Sequence, residues 1–123
     1  MTVEYLHLED LLQLAADLGN LAVRDLGLLE AAVQRPKTTL YGQEAYPDLH
    51  EKAAVLLESL SRNHALIDGN KRIAWLAVVV FFDLNVRSLD APDDEAYDLV
   101  IGVSTGAIGY QEAARSLAKW TQR

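Results

Sequence analysis

The run His64-Ala65-Leu66-Ile67-Asp68-Gly69-Asn70-Lys71-Arg72 gathers an imidazole, a carboxylate, a glycine and two cations immediately before the most apolar stretch of the chain, Ile73 to Phe82. Polar residues in such a place need a task. If a helix starts near Gly69-Asn70, its first N–H groups have no partners and its dipole turns a positive end outward, which makes an anion site. Gly69 would let the backbone approach a ligand closely, and Asn70 suits an N-cap or a loop brace. Lys71 and Arg72 oppose the helix dipole unless an anion is bound, and the planar fork of an arginine matches phosphate oxygens. This set suits a polyphosphate better than a single carboxylate. Asp68 beside it is what magnesium would take, since that ion commonly binds one or two carboxylates and completes its shell with phosphate oxygens and water. Imidazole is the side chain that can accept a hydroxyl proton near neutral pH, and His64 supplies one. Singly, each residue is ordinary for a loop before a helix. Together they supply base, metal carboxylate and phosphate cradle, which is sufficient for phosphoryl transfer because that reaction asks for positioning and charge stabilisation.

The elements that must position this loop are helical. Leu8, Leu11, Leu12, Ala15 and Leu18 form one stripe that stops at Gly19-Asn20, which predicts a first helix. A second should start at Asp25, bury Leu28, Leu29, Ala32 and Val33, and end before Pro36, which disfavours helical geometry at Arg35. Lys37 to Tyr46 has no helical period and suits an extended loop or small hairpin. Asp48 with Glu51 resembles a capping box for a third helix through Ala53, Leu56, Leu57 and Leu60, reaching about Arg62. The fourth, from Gly69-Asn70, is apolar on all sides between Ile73 and Phe82 and so is predicted to be surrounded by the others. Pro92 with Asp93, Asp94 and Glu95 opens a fifth through Ala96, Tyr97, Val100 and Ile101, and Tyr110, Ala113, Ala114, Leu117 and Ala118 mark a sixth. The expected fold is all-α: one domain over residues 1–123, a bundle of about six helices around a buried central one, with strands confined to a small hairpin or flap near 37–47.

Composition narrows the function classes. A length of 123 residues with half of them apolar can bury a core without disulfides or a structural metal. The absence of cysteine removes zinc-thiolate chemistry and fits a cytoplasmic protein, as does a start, Met1-Thr2-Val3-Glu4-Tyr5, without a signal-peptide pattern. Ile73 to Phe82 is far short of the roughly 20 residues that span a bilayer. A formal charge of -7 opposes docking to nucleic acid or anionic lipid and suits a basic protein partner. His7 and His50, at helix starts, read as surface polar residues, and Tyr41, Tyr46, Trp75 and Trp120 as packing residues rather than a base-stacking platform.

The loop is similar to the signature of the Fic/Doc superfamily, His-x-Phe-x-Asp/Glu-Gly/Ala-Asn-Gly/Lys-Arg, and agrees with it at His64, Asp68, Gly69, Asn70, Lys71 and Arg72. A pattern fixed at that many positions is far more specific than a lone Gly-x-Gly-x-x-Gly. Upstream, Val23-Arg24-Asp25-Leu26-Gly27-Leu28-Leu29-Glu30, and Tyr46-Pro47 with Glu51-Lys52-Ala53-Ala54, resemble the Doc branch. Two positions depart: Leu66 stands where Phe usually anchors the loop in the core, and Ala65 replaces a frequent Pro.

The resemblance implies a role for each matching residue: His64 the base for a protein hydroxyl, Asp68 the magnesium carboxylate, and Gly69, Asn70, Lys71 and Arg72 the holders of the ATP phosphates. Arg62 stands where the Doc branch often has a basic residue and would complete the phosphate contacts. Family members that transfer AMP carry Gly at the place of Lys71 and a further Arg at the place of Trp75; their absence favours a Doc-type toxin, a kinase that phosphorylates a threonine of elongation factor Tu and arrests translation. The alternatives are an AMP transferase, which differs in the phosphorus attacked, and an inactive nucleotide-binding partner protein, against which the intact His64 and Asp68 speak. Many relatives restrain themselves with a Ser/Thr-x-x-x-Glu-Gly/Asn helix. No Ser or Thr of this sequence is followed by Glu four residues later, so the expected inhibitor is a separate Phd-type antitoxin whose disordered tail folds over the toxin. By the same analogy, residues 37–46 are a flap for docking the target.

Overall fold

The computed structural model describes residues 2–122. Helix α1 runs Leu8–Asp17, α2 Leu26–Gln34, α3 Leu49–Arg62, α4 Asn70–Leu84, α5 Asp93–Thr105 and α6 Tyr110–Trp120. The caps are the residues whose chemistry demanded them. The Asp25 carboxylate accepts from Leu28 N at 3.2 Å, and that of Asp48 from His50 N and Glu51 N at 3.1 and 3.3 Å, satisfying N–H groups that a helix start leaves open. Pro92, Asp93, Asp94 and Glu95 stand at the start of α5. The fold is all-α, as expected, with only small strand pairs.

Helices α3 and α4 form the central pair; α5 and α6 lie against α3, and α1 against α4. One buried cluster runs from Leu6 to Leu117 and draws on all six helices. Helix α4 departs from the expectation of burial on every side. Ile73, Ala74, Ala77, Val78, Phe81 and Phe82 are buried, whereas Trp75, Leu76, Val79 and Val80 on the other face are only half-buried. The helices around it cover one side, and an apolar groove remains along the other.

The hairpin near 37–47 is present. Strand β1 (Thr39–Leu40) pairs antiparallel with β2 (Gln43–Glu44). Its two central residues, Tyr41 at φ 53° and Gly42 at φ 79°, have the positive angles that a tight two-residue hairpin requires. Tyr41 is wholly exposed (105% relative accessibility) and packs on nothing, unlike the packing role expected of it. Tyr46 does pack, edge-on against Tyr110 with ring centroids 5.3 Å apart.

Four further expectations are corrected. Arg35 is helical (φ -56°, ψ -43°) despite the following Pro36, and the chain continues into a 3-10 turn over Arg35–Lys37. Tertiary contacts override the local bias: the Arg35 guanidinium pairs with Glu58 at 2.8 Å and bonds Ser59 and Tyr46 at 3.2 and 3.4 Å. A second strand pair, β3 (Ser88–Leu89) with β4 (Thr121–Gln122), closes the end of α6 against the end of α4. His50 is a part of that closure rather than a surface group, its Nε2 lying 2.8 Å from Thr121 Oγ1 and its ring against Phe82. Ala118, expected on the buried stripe of α6, is exposed.

The hairpin is fastened from beneath by Lys52, a lysine only 1% exposed. Its Nζ donates to Glu44 Oε1 at 2.7 Å and to Pro36 O at 3.2 Å, and lies 5.6 Å from the centre of the Tyr5 ring. Burial alone would lower the pKa of this amine; the bonds and charge of Glu44 and Tyr5 outweigh it and hold the value above that of an ordinary lysine.

Candidate active site

The loop between α3 and α4 is built by satisfying its own backbone. As α3 ends, the Asn63 side chain takes two tasks, Nδ2 donating to Leu28 O at 3.0 Å and Oδ1 accepting from Ala65 N at 3.2 Å. His64 then reverses the chain in the left-handed region, φ 53°, a conformation that residues with a Cβ adopt at some cost. Ala65 and Leu66 turn inward and are each 1% exposed. Leu66 therefore fills the anchoring position where the family pattern has Phe, and burying a leucine side chain stabilises by about 1.5–3 kcal/mol.

A segment ahead of α2 pairs with the loop. Arg24 N and Asp25 N donate to Ala65 O at 2.8 and 3.0 Å, Ile67 N donates to Ala22 O at 3.0 Å, and Val23 bridges Leu66 antiparallel. The Arg24 side chain adds Nε to His64 O at 2.8 Å and Nη2 to Asn63 O at 3.5 Å. On the far side of the loop the Asn70 amide spans back four residues, Oδ1 accepting from Leu66 N and Nδ2 donating to Leu66 O, both at 3.0 Å. The loop is thus clamped at its first and last residues, and His64, Ile67 and Asp68 are left exposed between the clamps.

Gly69 is the N-cap of α4, at φ 87°. A Cβ there would lie 2.6 Å from Leu21 Cδ1 and 3.2 Å from Arg72 Nη2, side-chain ends that would have to shift, but it is the angle that calls for glycine. The N–H groups of the first α4 turn, including those of Asn70 and Lys71, have no carbonyl within the helix to bond. Lys71 and Arg72 are exposed beside them, and neither has a carboxylate within ion-pair distance among the described residues. Two free cations, a helix dipole and open N–H groups converge there, which is the electrostatics of a polyphosphate site. The Asp68 carboxylate spends Oδ1 on Gly69 N at 2.8 Å and keeps Oδ2 free. The described residues contain no cluster of three or more potential metal ligands. A lone half-free carboxylate beside a phosphate site fits a magnesium ion that takes its remaining ligands from phosphate and water.

The sequence-predicted set is therefore brought together with one exception and one change of task. Arg62 is turned away: Nε donates to Val103 O at 2.7 Å, Nη2 to Ile108 O at 3.1 Å, and Nη1 pairs with Glu58 at 3.4 Å. Those bonds use its fork to fasten the α5–α6 corner to α3, and it does not join the phosphate cradle. Asn70 stays in the loop, but its side chain braces Leu66 with one bond from Nδ2 and one to Oδ1, so its backbone N–H and the second N–H of Nδ2 are the groups that could meet an anion. Sequence reasoning missed Arg24, Asn63 and the pair Arg35–Glu58. Arg24 lies in the upstream block that resembled the Doc branch, yet no local pattern ties it to a loop 40 residues away.

Two cavities flank the loop. A groove of about 550 Å³ is lined by residues that include Lys71, Arg72, Trp75, Leu76, Asp93 and Tyr97. A cleft of about 590 Å³ between α2 and α3 runs from Asn63 to Thr38 at the base of the hairpin. Arg35 and Arg62 border that cleft, but both are paired with Glu58. For Arg35, burial lowers the pKa while Tyr46 and Glu58 raise it further, so the guanidinium is held firmly charged.

The comparisons with known proteins agree with this loop. Residues 3–82 match the model of the Fic/DOC family, a range that contains the whole His64–Arg72 run. The chain is also 50% identical over 119 residues to Toxin Doc of Mycolicibacterium smegmatis, an alignment covering 94% of this chain and 92% of that protein.

Proposed function

The chain belongs to the Fic/DOC family, and on that premise we propose that it is a Doc-type toxin, a kinase that moves the terminal phosphate of ATP to a hydroxyl of a translation factor and so arrests growth. The observation that carries this reading is the arrangement of the clamped loop: an exposed His64 at one end, and the open first turn of α4 with Lys71 and Arg72 at the other. The relative named as a toxin covers nearly the full chain, which supports the same task here.

In the reaction, the acceptor hydroxyl gives its proton to the neutral imidazole of His64 as its oxygen forms a bond to the terminal phosphorus. The bond from that phosphorus to the bridging oxygen breaks, and ADP departs. The N–H groups of the first α4 turn, Lys71 and Arg72 hold the phosphates and spread the charge that grows on them. Asp68 would hold magnesium, which supplies further charge neutralisation when bound. The clamps keep His64 in place, so little reorganisation remains at the moment of transfer.

A separate antitoxin of the Phd type fits the groove of α4. Its wall of Trp75, Leu76, Tyr97 and Val100 offers apolar side chains to an amphipathic helix, and Lys71 and Arg72 offer charge to an acidic residue at its edge.

The test is to incubate the purified chain with elongation factor Tu, magnesium and ATP and weigh the product. A gain of phosphate is expected; a gain of AMP would make the protein a nucleotidyl transferase instead, and no gain for any translation factor, with no growth arrest on expression, would reject the toxin reading. His64→Ala should lower transfer by about 10²- to 10⁴-fold, and co-expression with the neighbouring antitoxin should restore growth and yield a complex.

A further inference from the structure

We infer that Arg24 is a positioning residue for His64, holding the base in its left-handed conformation from a segment outside the signature loop. His64 has φ 53°, an angle its backbone would not adopt freely. Such conformations persist only where the surroundings over-determine them. The neighbours of His64 are well fixed: Ala65 N is bonded by Asn63 Oδ1, and Ala65 O by two N–H groups of the 24–25 backbone. The His64 peptide itself has one hydrogen bond among the described residues, from Arg24 Nε to its carbonyl at 2.8 Å. The same guanidinium reaches the Asn63 carbonyl at 3.5 Å. Two successive carbonyls held by one rigid plane cannot rotate independently, and the angle between them is what sets the direction of the imidazole.

The rest of the Arg24 environment points the same way. The residue is exposed, pairs with no carboxylate within ion-pair distance among the described residues, and gives both of its side-chain bonds to Asn63 and His64. An exposed side chain of that kind adds little to folding stability. Its geometry is wasted as a core contact and well used as a brace. A simpler role exists, since the Asn63 carbonyl lies just past the end of α3 and a cation there complements the helix dipole. That role would be filled equally well by lysine and would not depend on His64.

The proposal rests on the reading of His64 as the base, and the experiment separates the two. Transfer is measured for the full chain as wild type, Arg24→Ala, Arg24→Lys, His64→Ala and the Arg24→Ala/His64→Ala double variant, with the histidine ring signals followed by NMR in each. The sequence has three histidines, so the His64 signal is easily isolated. Arg24→Ala is expected to lower kcat by about 10- to 100-fold, the scale of a small misplacement of a catalytic group, with KM for ATP within about twofold. Arg24→Lys should recover only part of the loss, because a point charge cannot hold both carbonyls. Added guanidinium should partly restore Arg24→Ala and leave wild type unchanged. In the double variant the loss should equal that of His64→Ala alone, since residues acting as a unit are not additive. In the Arg24→Ala spectrum the His64 ring signal should shift or broaden while His7 and His50 stay in place.

An Arg24→Ala variant within twofold of an active wild type overturns the inference. So does a loss confined to KM, full rescue by lysine, a further loss on the His64→Ala background, or failure of Arg24→Ala to fold. If wild type transfers nothing, or His64→Ala remains fully active, the functional reading falls; an unmoved His64 signal in Arg24→Ala would then reject the brace by itself, and a displaced one would retain it.

Discussion

Asn70→Ala separates the two tasks that one residue could have in this loop. The side chain makes two bonds to Leu66, each of 3.0 Å, and Leu66 is 1% exposed. An intramolecular hydrogen bond contributes about 0.5–1.5 kcal/mol net, and a buried group left unpaired costs at the upper end of that range or beyond. Two bonds therefore amount to about 3 kcal/mol. Alanine in the first helical turn returns about 0.5 kcal/mol of propensity, and some relaxation of the loop will let water reach Leu66, so a net loss of about 2 kcal/mol is expected. With an unfolding entropy of about 2.1 cal/mol/K per residue, a chain of 123 residues should show a fall in Tm of about 8 °C. Thermal unfolding by circular dichroism reads this directly, and calorimetric titration with ATP and magnesium reads the other task. Because the backbone N–H groups open toward an anion are kept, the affinity for ATP should fall by less than about tenfold. A Tm within about 2 °C of wild type together with a loss of ATP affinity of a hundredfold or more would refute the reasoning and make the side chain a phosphate ligand.

Asp68→Asn removes the one carboxylate of the loop and should weaken ATP binding in the presence of magnesium while leaving it unchanged without the ion; equal affinities under both conditions would remove Asp68 from the metal site. Lys52→Met tests the buried amine through pH. A pKa raised in the folded state means that its stabilisation is fully present below the ordinary lysine value of 10.5 and is lost as pH rises through the higher folded value. The stability advantage of wild type over Lys52→Met, from urea unfolding, should therefore be constant to about pH 10 and shrink above it; an advantage that grew with pH would contradict the ion pair with Glu44. Gly102→Ala would place a Cβ 2.4 Å from Ile108 Cδ1 and 2.8 Å from Cγ1. Overpacking of about 1–3 kcal/mol should exceed the helix propensity gained, about 1 kcal/mol, so a lower Tm is expected, and a higher one would mean that the α5–α6 corner opens freely.

What was legible in the sequence, and what was not, divides by the range of the interaction. Helix starts at Asp25, Asp48 and Pro92 were readable because a cap acts within a few residues, and the hairpin because Tyr41-Gly42 breaks a short extended run. The place of the loop was readable because α4 begins at Asn70, where its open N–H groups and the exposed Lys71 and Arg72 follow. The destinations of long side chains were not. Arg62 was placed with the phosphates from its position in sequence, and it instead fastens Val103 and Ile108, more than 40 residues away. Lys52 is a charged residue on a helix face whose apolar stripe gives no hint of its burial; the partner that makes burial tolerable, Glu44, lies on the hairpin. Arg35 shows the same in the backbone, where a partner on α3 outweighs the bias imposed by Pro36. Propensity and pattern are local, whereas these choices are made by whichever acceptor the finished fold brings near.

The compensation of charge around the loop gives the site a direction. Four cations border two cavities beside the loop, Arg35 and Arg62 with Glu58 in one and Lys71 and Arg72 with Asp93 in the other. On the side of α2 and α3, Arg35 and Arg62 share the one carboxylate of Glu58. On the side of α4, Lys71 and Arg72 are exposed and have no carboxylate within ion-pair distance among the described residues, and the dipole of α4 adds to them. An anion that met Lys71 and Arg72 would displace no ion pair, whereas one that met Arg35 or Arg62 would have to compete with Glu58. The difference depends on one carboxylate, 12% exposed, that holds two guanidiniums at once, and Glu58→Lys would release both.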